Sequence, residues 1–172
     1  MNKRVTQAVI LAGGLGTRLK PFTNTAPKPM YLINNVPFID YLIRQMKNFG
    51  MEEVLLLLGY LPKKIMDYLG DGSRYGLTIN FDITPVDYDT GMRIKHAASQ
   101  IEDKFLLLYC DNYCPIDFTK LYADFCNNKA KIQITAYSNR DNYTKSNLHV
   151  ADNGMIKIYD KKRATSNLKG VD

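Results

Sequence analysis

The chain has 172 residues, a formal net charge of +6, 45% hydrophobic residues and 23% charged residues. That is enough for one domain with a real core, in the composition range of ordinary globular proteins. No apolar run approaches the roughly 20 residues of a membrane span, and the short apolar run behind the basic start enters a glycine turn, which is not the pattern of a signal peptide.

In chain order, residues 8–12 are a short apolar run that predicts a buried first strand. Residues 30–33 and the Asn34-Asn35 turn predict an extended segment or loop. Pro37 opens a helix over 37–49, with Phe38, Tyr41, Leu42 and Met46 at helical spacing and Gly50 as its stop. The run EVLLLL at 53–58 predicts a buried parallel strand. A helix follows over 62–69, closed by Gly70-Asp71-Gly72. Leu77, Ile79, Phe81 and Ile83 alternate and predict a strand with those four on one face. Further on come a helix over 94–101, a buried strand over 105–109, a helix over 118–127 and a strand over 131–138. Strands over 147–151 and 155–159 flank Asp152-Asn153-Gly154, a hairpin signal.

Strands alternating with helices predict an α/β fold, a three-layer sandwich on a mostly parallel, Rossmann-like sheet. No linker or repeat divides the chain, which reads as one domain over 1–172. Such sheets bind ligands outside the carboxyl ends of their strands. Gly13, Gly14 and Gly16 follow the first strand, and Asp111 follows the strand over 105–109. Both fall on that edge.

The glycine cluster is neither a P-loop, since no Gly-Lys-Ser/Thr follows, nor a dinucleotide fingerprint, since the spacing is wrong. Arg18 comes next, then Lys28 between Pro27 and Pro29. An amide-rich turn backed by an arginine and a lysine is suited to anionic oxygens. The net positive charge fits such small anionic substrates. The basic residues are otherwise scattered, Lys161-Lys162-Arg163 being the one dense run, so nucleic acid is not an expected partner. Cys110, Cys114 and Cys126 have no zinc-site pattern and read as reduced cytosolic thiols, which makes the cytoplasm the expected location. His96 and His149 have neither a triad partner nor metal spacing; His96 is expected on a helix surface and His149 on a strand.

The whole stretch VILAGGLGTRLKPFTNTAPKPM closely resembles the signature of the sugar-1-phosphate nucleotidylyltransferases, also called nucleoside-diphosphate-sugar pyrophosphorylases. Two later segments resemble the same family. Asp87-Tyr88-Asp89-Thr90-Gly91-Met92-Arg93-Ile94-Lys95 looks like Pro-Leu-Gly-Thr-Gly-Gly-Ala-Ile-Lys, with Asp89 where glycine is usual and Arg93 where a small residue is usual. Some cytidylyltransferases of the family carry an arginine near this point. Cys110-Asp111 looks like the end of Leu-x-Gly-Asp, with cysteine replacing glycine.

The resemblance implies the nucleotide-diphospho-sugar transferase fold and a Mg²⁺-dependent reaction, in which a sugar 1-phosphate attacks the α-phosphorus of a nucleoside triphosphate. The products are an NDP-sugar and pyrophosphate. It implies that Leu11, Ala12, Gly13, Gly14, Gly16 and Thr17, with Thr90 and Gly91, bind the nucleotide. Arg18 and Lys28 carry catalysis and Asp111 holds Mg²⁺. Lys161 binds the sugar phosphate, with Asp160 and Asp172 toward the sugar. Guanylyl transfer to a heptose 1-phosphate is the first expectation among these reactions, with hexose 1-phosphates and with cytidylyl or thymidylyl transfer as alternatives. From a different class, the departures at Asp89 and Cys110 also fit a nucleotide- or sugar-phosphate-binding module without catalysis. Family catalytic domains are longer than this chain, so a domain truncated at its C-terminus is expected. The expected partners are the two small-molecule substrates, with no membrane; a homo-oligomer is left open.

Overall fold

The first strand, β1 (Gln7–Ala12), is buried at every position. The chain then winds through three short 3-10 turns, Thr17–Leu19, Phe22–Asn24 and Lys28–Met30. A small antiparallel pair follows, β2 (Leu32–Ile33) with β3 (Val36–Pro37). Then come α1 (Phe38–Asn48), β4 (Glu53–Leu58), α2 (Pro62–Leu69), β5 (Thr78–Ile83), α3 (Thr90–His96), β6 (Leu106–Tyr109), α4 (Phe118–Asn127), β7 (Leu148–Val150) and β8 (Ile156–Tyr159). This computed structural model describes residues 4–128, 130–141, 143–164 and 168.

β1, β4, β5 and β6 form one parallel sheet in the order β5-β4-β1-β6. β1 is central because its two faces are both apolar. Ala8, Ile10 and Ala12 join Leu56 and Leu58 in a core completed by Ile39, Leu42, Ile43 and Met46 of α1 and Ile65 and Leu69 of α2. Val9 and Leu11 point the other way, with Leu55 and Leu57, onto Ala97, Ile94, Ile101 and Phe105. Helices therefore cover both faces, which is why β4 is a continuous run and not an alternating one. Each fully buried leucine of that run contributes about 1.5–3 kcal/mol by leaving water. The three-layer α/β arrangement is the one expected from the sequence.

The chain falls into two compact units, Met1–Ala123 and Asp124–Asp172. The sheet belongs to the first. The second carries the antiparallel hairpin of β7 and β8.

Several boundaries match the sequence reading, those of β4, α2 and α4 to the residue. Three expectations fail. No ordered strand forms over 131–138, where the described residues are irregular. That segment alternates polar and apolar side chains, but Ile132 and Ile134 are exposed, so no buried face holds it in a ladder. The strand expected to be buried over 105–109 is buried only in part: Leu107 and Tyr109 of β6 are exposed, β6 being an end strand of the sheet among the described residues, whereas the expected face of β5 holds, in unbroken register with β4, with Ile83 exposed at the strand's end. Finally, the helix expected over 94–101 starts at Thr90 and ends at His96, followed by a 3-10 turn over Ala98–Gln100. The early start comes from Asp89, whose carboxylate accepts the Met92 backbone N–H at 2.8 Å and caps the helix.

Candidate active site at the carboxyl edge of the sheet

Parallel pairing of β1 with β6 brings their carboxyl ends side by side, and the Cys110 N–H donates to the Leu11 carbonyl at 3.1 Å. The glycine turn and Asp111 are thereby neighbours although about a hundred residues separate them. Between them opens a cleft of about 480 Å³. Of the residues singled out from the sequence, Leu11, Gly13, Gly14, Gly16, Thr17, Arg18, Lys28, Thr90 and Asp111 line it. Ala12 is buried at the end of β1 and Gly91 is exposed on the first turn of α3; neither lines the cleft. Asp160 and Lys161 belong to the second unit, just beyond β8, where the Asp160 carboxylate accepts the Lys162 N–H at 3.0 Å. Asp172 lies outside the described residues.

The turn is built by two glycines for two different reasons. Gly16 sits at φ +62°, the left-handed region that favours glycine, and a Cβ there would also come within 3.1 Å of Lys28 and Thr23. Gly13 has no such φ; what excludes a side chain is Arg93, whose guanidinium carbon would lie 2.2 Å from a Cβ. The Thr23 hydroxyl donates to the Gly16 carbonyl at 3.1 Å, and the Tyr60 hydroxyl donates to the Thr23 carbonyl at 2.7 Å. The loop that carries Arg18 and Lys28 is thus tied to its own start and to the residue after Gly59. Pro27 and Pro29 flank Lys28 on its 3-10 turn and restrict its backbone.

Lys28 Nζ lies 2.7 Å from Asp111 Oδ2, with the two side chains 39% and 42% exposed. Both are accessible from the cleft, so the pair is open to exchange with other ions. Cys110, beside Asp111, has its thiol pushed up to about 12, by burial first and by the Asp111 charge second. It is a neutral thiol at physiological pH and no nucleophile.

Arg93 is the surprise of the site. It is 4% exposed and lines the back of the cleft, with its basicity lowered by burial, against the raising influence of Asp87 and Asp82. It donates to the carbonyls of Leu58 (2.9 Å), Gly13 (3.3 Å), Pro85 (3.0 Å) and Val86 (3.0 Å), and to the Thr84 hydroxyl. Its presence in a segment where a small residue is usual was the only sequence signal for this. Val86, Tyr88 and Tyr109 also line the cleft and were not singled out. His96 lies exposed on α3, as expected, and its Nδ1 is 3.0 Å from the Asp82 carboxylate, which also accepts from Gln100 at 3.1 Å.

The cleft therefore sets three cations, Arg18, Lys28 and Arg93, against two carboxylates, Asp89 and Asp111. Asp89 is occupied as a helix cap. Asp111 remains as the hard oxygen donor, and one carboxylate suits Mg²⁺, which takes one or two such oxygens and completes its shell with phosphates and water. Among the described residues no cluster of three or more acidic, histidine or cysteine side chains could hold a metal by itself.

Comparison with known proteins gives a consistent picture. The family model described as nucleotidyl transferase matches residues 7–166. A D-glycero-α-D-manno-heptose 1-phosphate guanylyltransferase of Campylobacter jejuni is 36% identical over 115 residues, 67% of this chain and 52% of that protein. A choline-phosphate cytidylyltransferase of Streptococcus pneumoniae is 34% identical over 107 residues, 62% of this chain and 45% of that protein. The crystal structure of HddC from Yersinia pseudotuberculosis complexed with GMP-PN superposes with a TM-score of 0.76 at 27% identity, covering 97% of this chain and 72% of that one. The chain spans about half the length of the curated relatives it matches.

Proposed function

The chain belongs to the nucleotidyl transferase family, and on that premise we propose that its cleft serves nucleotidyl transfer from a nucleoside triphosphate to a sugar 1-phosphate. The observation that carries the proposal is the convergence of the glycine turn, Arg18, Lys28 and Asp111 on one cleft, with Lys28 and Asp111 in contact at 2.7 Å.

In the reaction an oxygen of the sugar phosphate attacks the α-phosphorus in line, and the bond from that phosphorus to the pyrophosphate oxygen breaks. No covalent enzyme intermediate is needed. The protein's task is to hold two mutually repelling anions and to receive the charge that develops on the leaving group. Backbone amides of the glycine turn hold the nucleotide. Arg18, exposed on the turn Thr17–Leu19, binds the departing β- and γ-phosphates. Lys28 exchanges its contact with Asp111 for the α-phosphate and the incoming phosphate oxygen. Asp111 would hold Mg²⁺, which when bound screens the phosphate charges. Lys161, with Asp160 and Asp172, is assigned to the sugar phosphate.

Guanylyl transfer to a heptose 1-phosphate is the assignment favoured here, supported by two relatives of that name, 36% and 33% identical. Cytidylyl and thymidylyl transfer are its competitors. The test is pyrophosphate release, with Mg²⁺, from a matrix of nucleoside triphosphates against sugar 1-phosphates. A positive well identifies base and sugar together. Nucleotide binding without release in any well would favour a binding module and overturn the catalytic reading.

A further inference from the structure

Arg93 is almost fully buried, yet none of its hydrogen bonds ends on a carboxylate. A buried charge held only by carbonyls and a hydroxyl is costly to keep, so its acceptors matter. Leu58 is the last residue of β4, Gly13 follows β1, and Thr84, Pro85 and Val86 follow β5. One planar fork thus clamps the carboxyl ends of three adjacent strands, each offering backbone oxygens that a single guanidinium can satisfy at once.

The geometry points to Arg93 as a positioning residue for the nucleotide, a clamp that fixes the glycine turn against the 84–86 segment so that the turn's amides face the cleft in one conformation. This rests on the nucleotidyl-transfer reading above. Gly13 makes the clamp testable. Its φ would accept any residue, and the atoms nearest to an added Cβ, at 2.2, 2.4 and 2.6 Å, all belong to the Arg93 guanidinium. The nearest obstacle to a side chain at 13 is therefore Arg93. Gly59 differs: an added Cβ would lie 2.6 Å from the Gly13 carbonyl oxygen, as well as 2.8 Å from Arg93.

The experiment is a double-mutant cycle on this chain, read as calorimetric affinity for the triphosphate that the wild type binds best, with melting curves alongside. Arg93→Ala weakens binding at least about tenfold in the folded protein, and Gly13→Ala does the same by expelling the guanidinium. The double variant binds no worse than Arg93→Ala alone, because the space is already vacant. Gly59→Ala stays damaging in both backgrounds, and Arg93→Lys does not restore affinity, since an ammonium is a point charge with no fork. Arg93→Leu replaces Arg93→Ala if the latter does not fold. Affinity within about threefold of wild type in Arg93→Ala, or a Gly13→Ala cost that is the same with and without Arg93, overturns the proposal and leaves the reading of the site intact. A wild-type chain that binds no triphosphate overturns both.

Discussion

The two walls of the cleft are built on opposite principles. The rear wall is held by Arg93, 4% exposed, with its bonds directed to fixed backbone oxygens. The front wall is the Lys28–Asp111 pair, about 40% exposed on each side, with one contact at 2.7 Å. Burial makes the rear contacts strong and hard to exchange; solvent makes the front contact weak and easy to exchange. A site that must both hold a shape and trade ion partners needs both kinds. The difference teaches that charge alone does not mark the chemistry: the more buried cation is the one least available to substrate.

The comparison breaks if the front wall proves structural. Lys28→Ala, and likewise Arg18→Ala, is expected to lower turnover by about 10²–10³-fold, while the melting temperature stays within a few degrees because an exposed pair contributes at most about 1 kcal/mol. Steady-state pyrophosphate release together with a melting curve checks both halves of that statement. At the rear wall the cost falls on stability as well as on affinity: Arg93→Ala is expected to lose about 1–3 kcal/mol in denaturant unfolding, since the buried fork's hydrogen bonds to Leu58, Gly13, Pro85 and Val86 are removed.

A third prediction sharpens the contrast away from the cleft. Asp40 of α1 is buried and accepts from Arg44 (2.6 Å), Tyr75 (2.7 Å) and Tyr68 (3.2 Å). Burial by itself would raise its carboxyl, but the hydrogen bonds from Arg44, Tyr75 and Tyr68 outweigh it and hold the group below its ordinary value. A carboxyl lowered in the folded state contributes stability that is present above its unfolded value, about 4, and is lost as pH falls through the folded value. Wild-type stability should therefore decline below about pH 4, and Asp40→Asn should be less stable at neutral pH with a flatter acid limb; urea titrations across pH decide it. The smallest effect concerns Cys110. With its thiol pushed up to about 12, it should resist iodoacetamide at pH 8, having a thiolate fraction on the order of 10⁻⁴. Mass-spectrometric detection of rapid labelling at Cys110 would contradict that environment.

The frame of the molecule could be read from the sequence where one physical signal dominates. EVLLLL and the Pro62-to-Gly70 segment gave their bounds because a continuous apolar run and a Pro-opened, Gly-closed helix have few competing solutions. The cleft's outer residues were legible for a similar reason, since glycines, a cation and a Pro-Lys-Pro cluster lie within one short stretch. Arg93 was not, because nothing in a linear pattern says that a basic residue in a helix will turn inward to carbonyls contributed by three strands. The pairing of His96 with Asp82 was hidden in the same way, being a contact across 14 positions and two elements. The irregular 131–138 segment shows the converse, an alternating pattern that finds no partner surface among the described residues.

The central place of β1 has a consequence in time. β1 leaves the ribosome before both of the strands it pairs with, β4 at residues 53–58 and β6 at residues 106–109. Its glycine turn faces Asp111 only after the second of those partners has emerged. Closing so long a segment is entropically slow compared with local helix formation. A nascent chain halted before residue 106 would hold the signature stretch complete yet have no cleft, so the capacity to capture a nucleotide arrives late and all at once during synthesis.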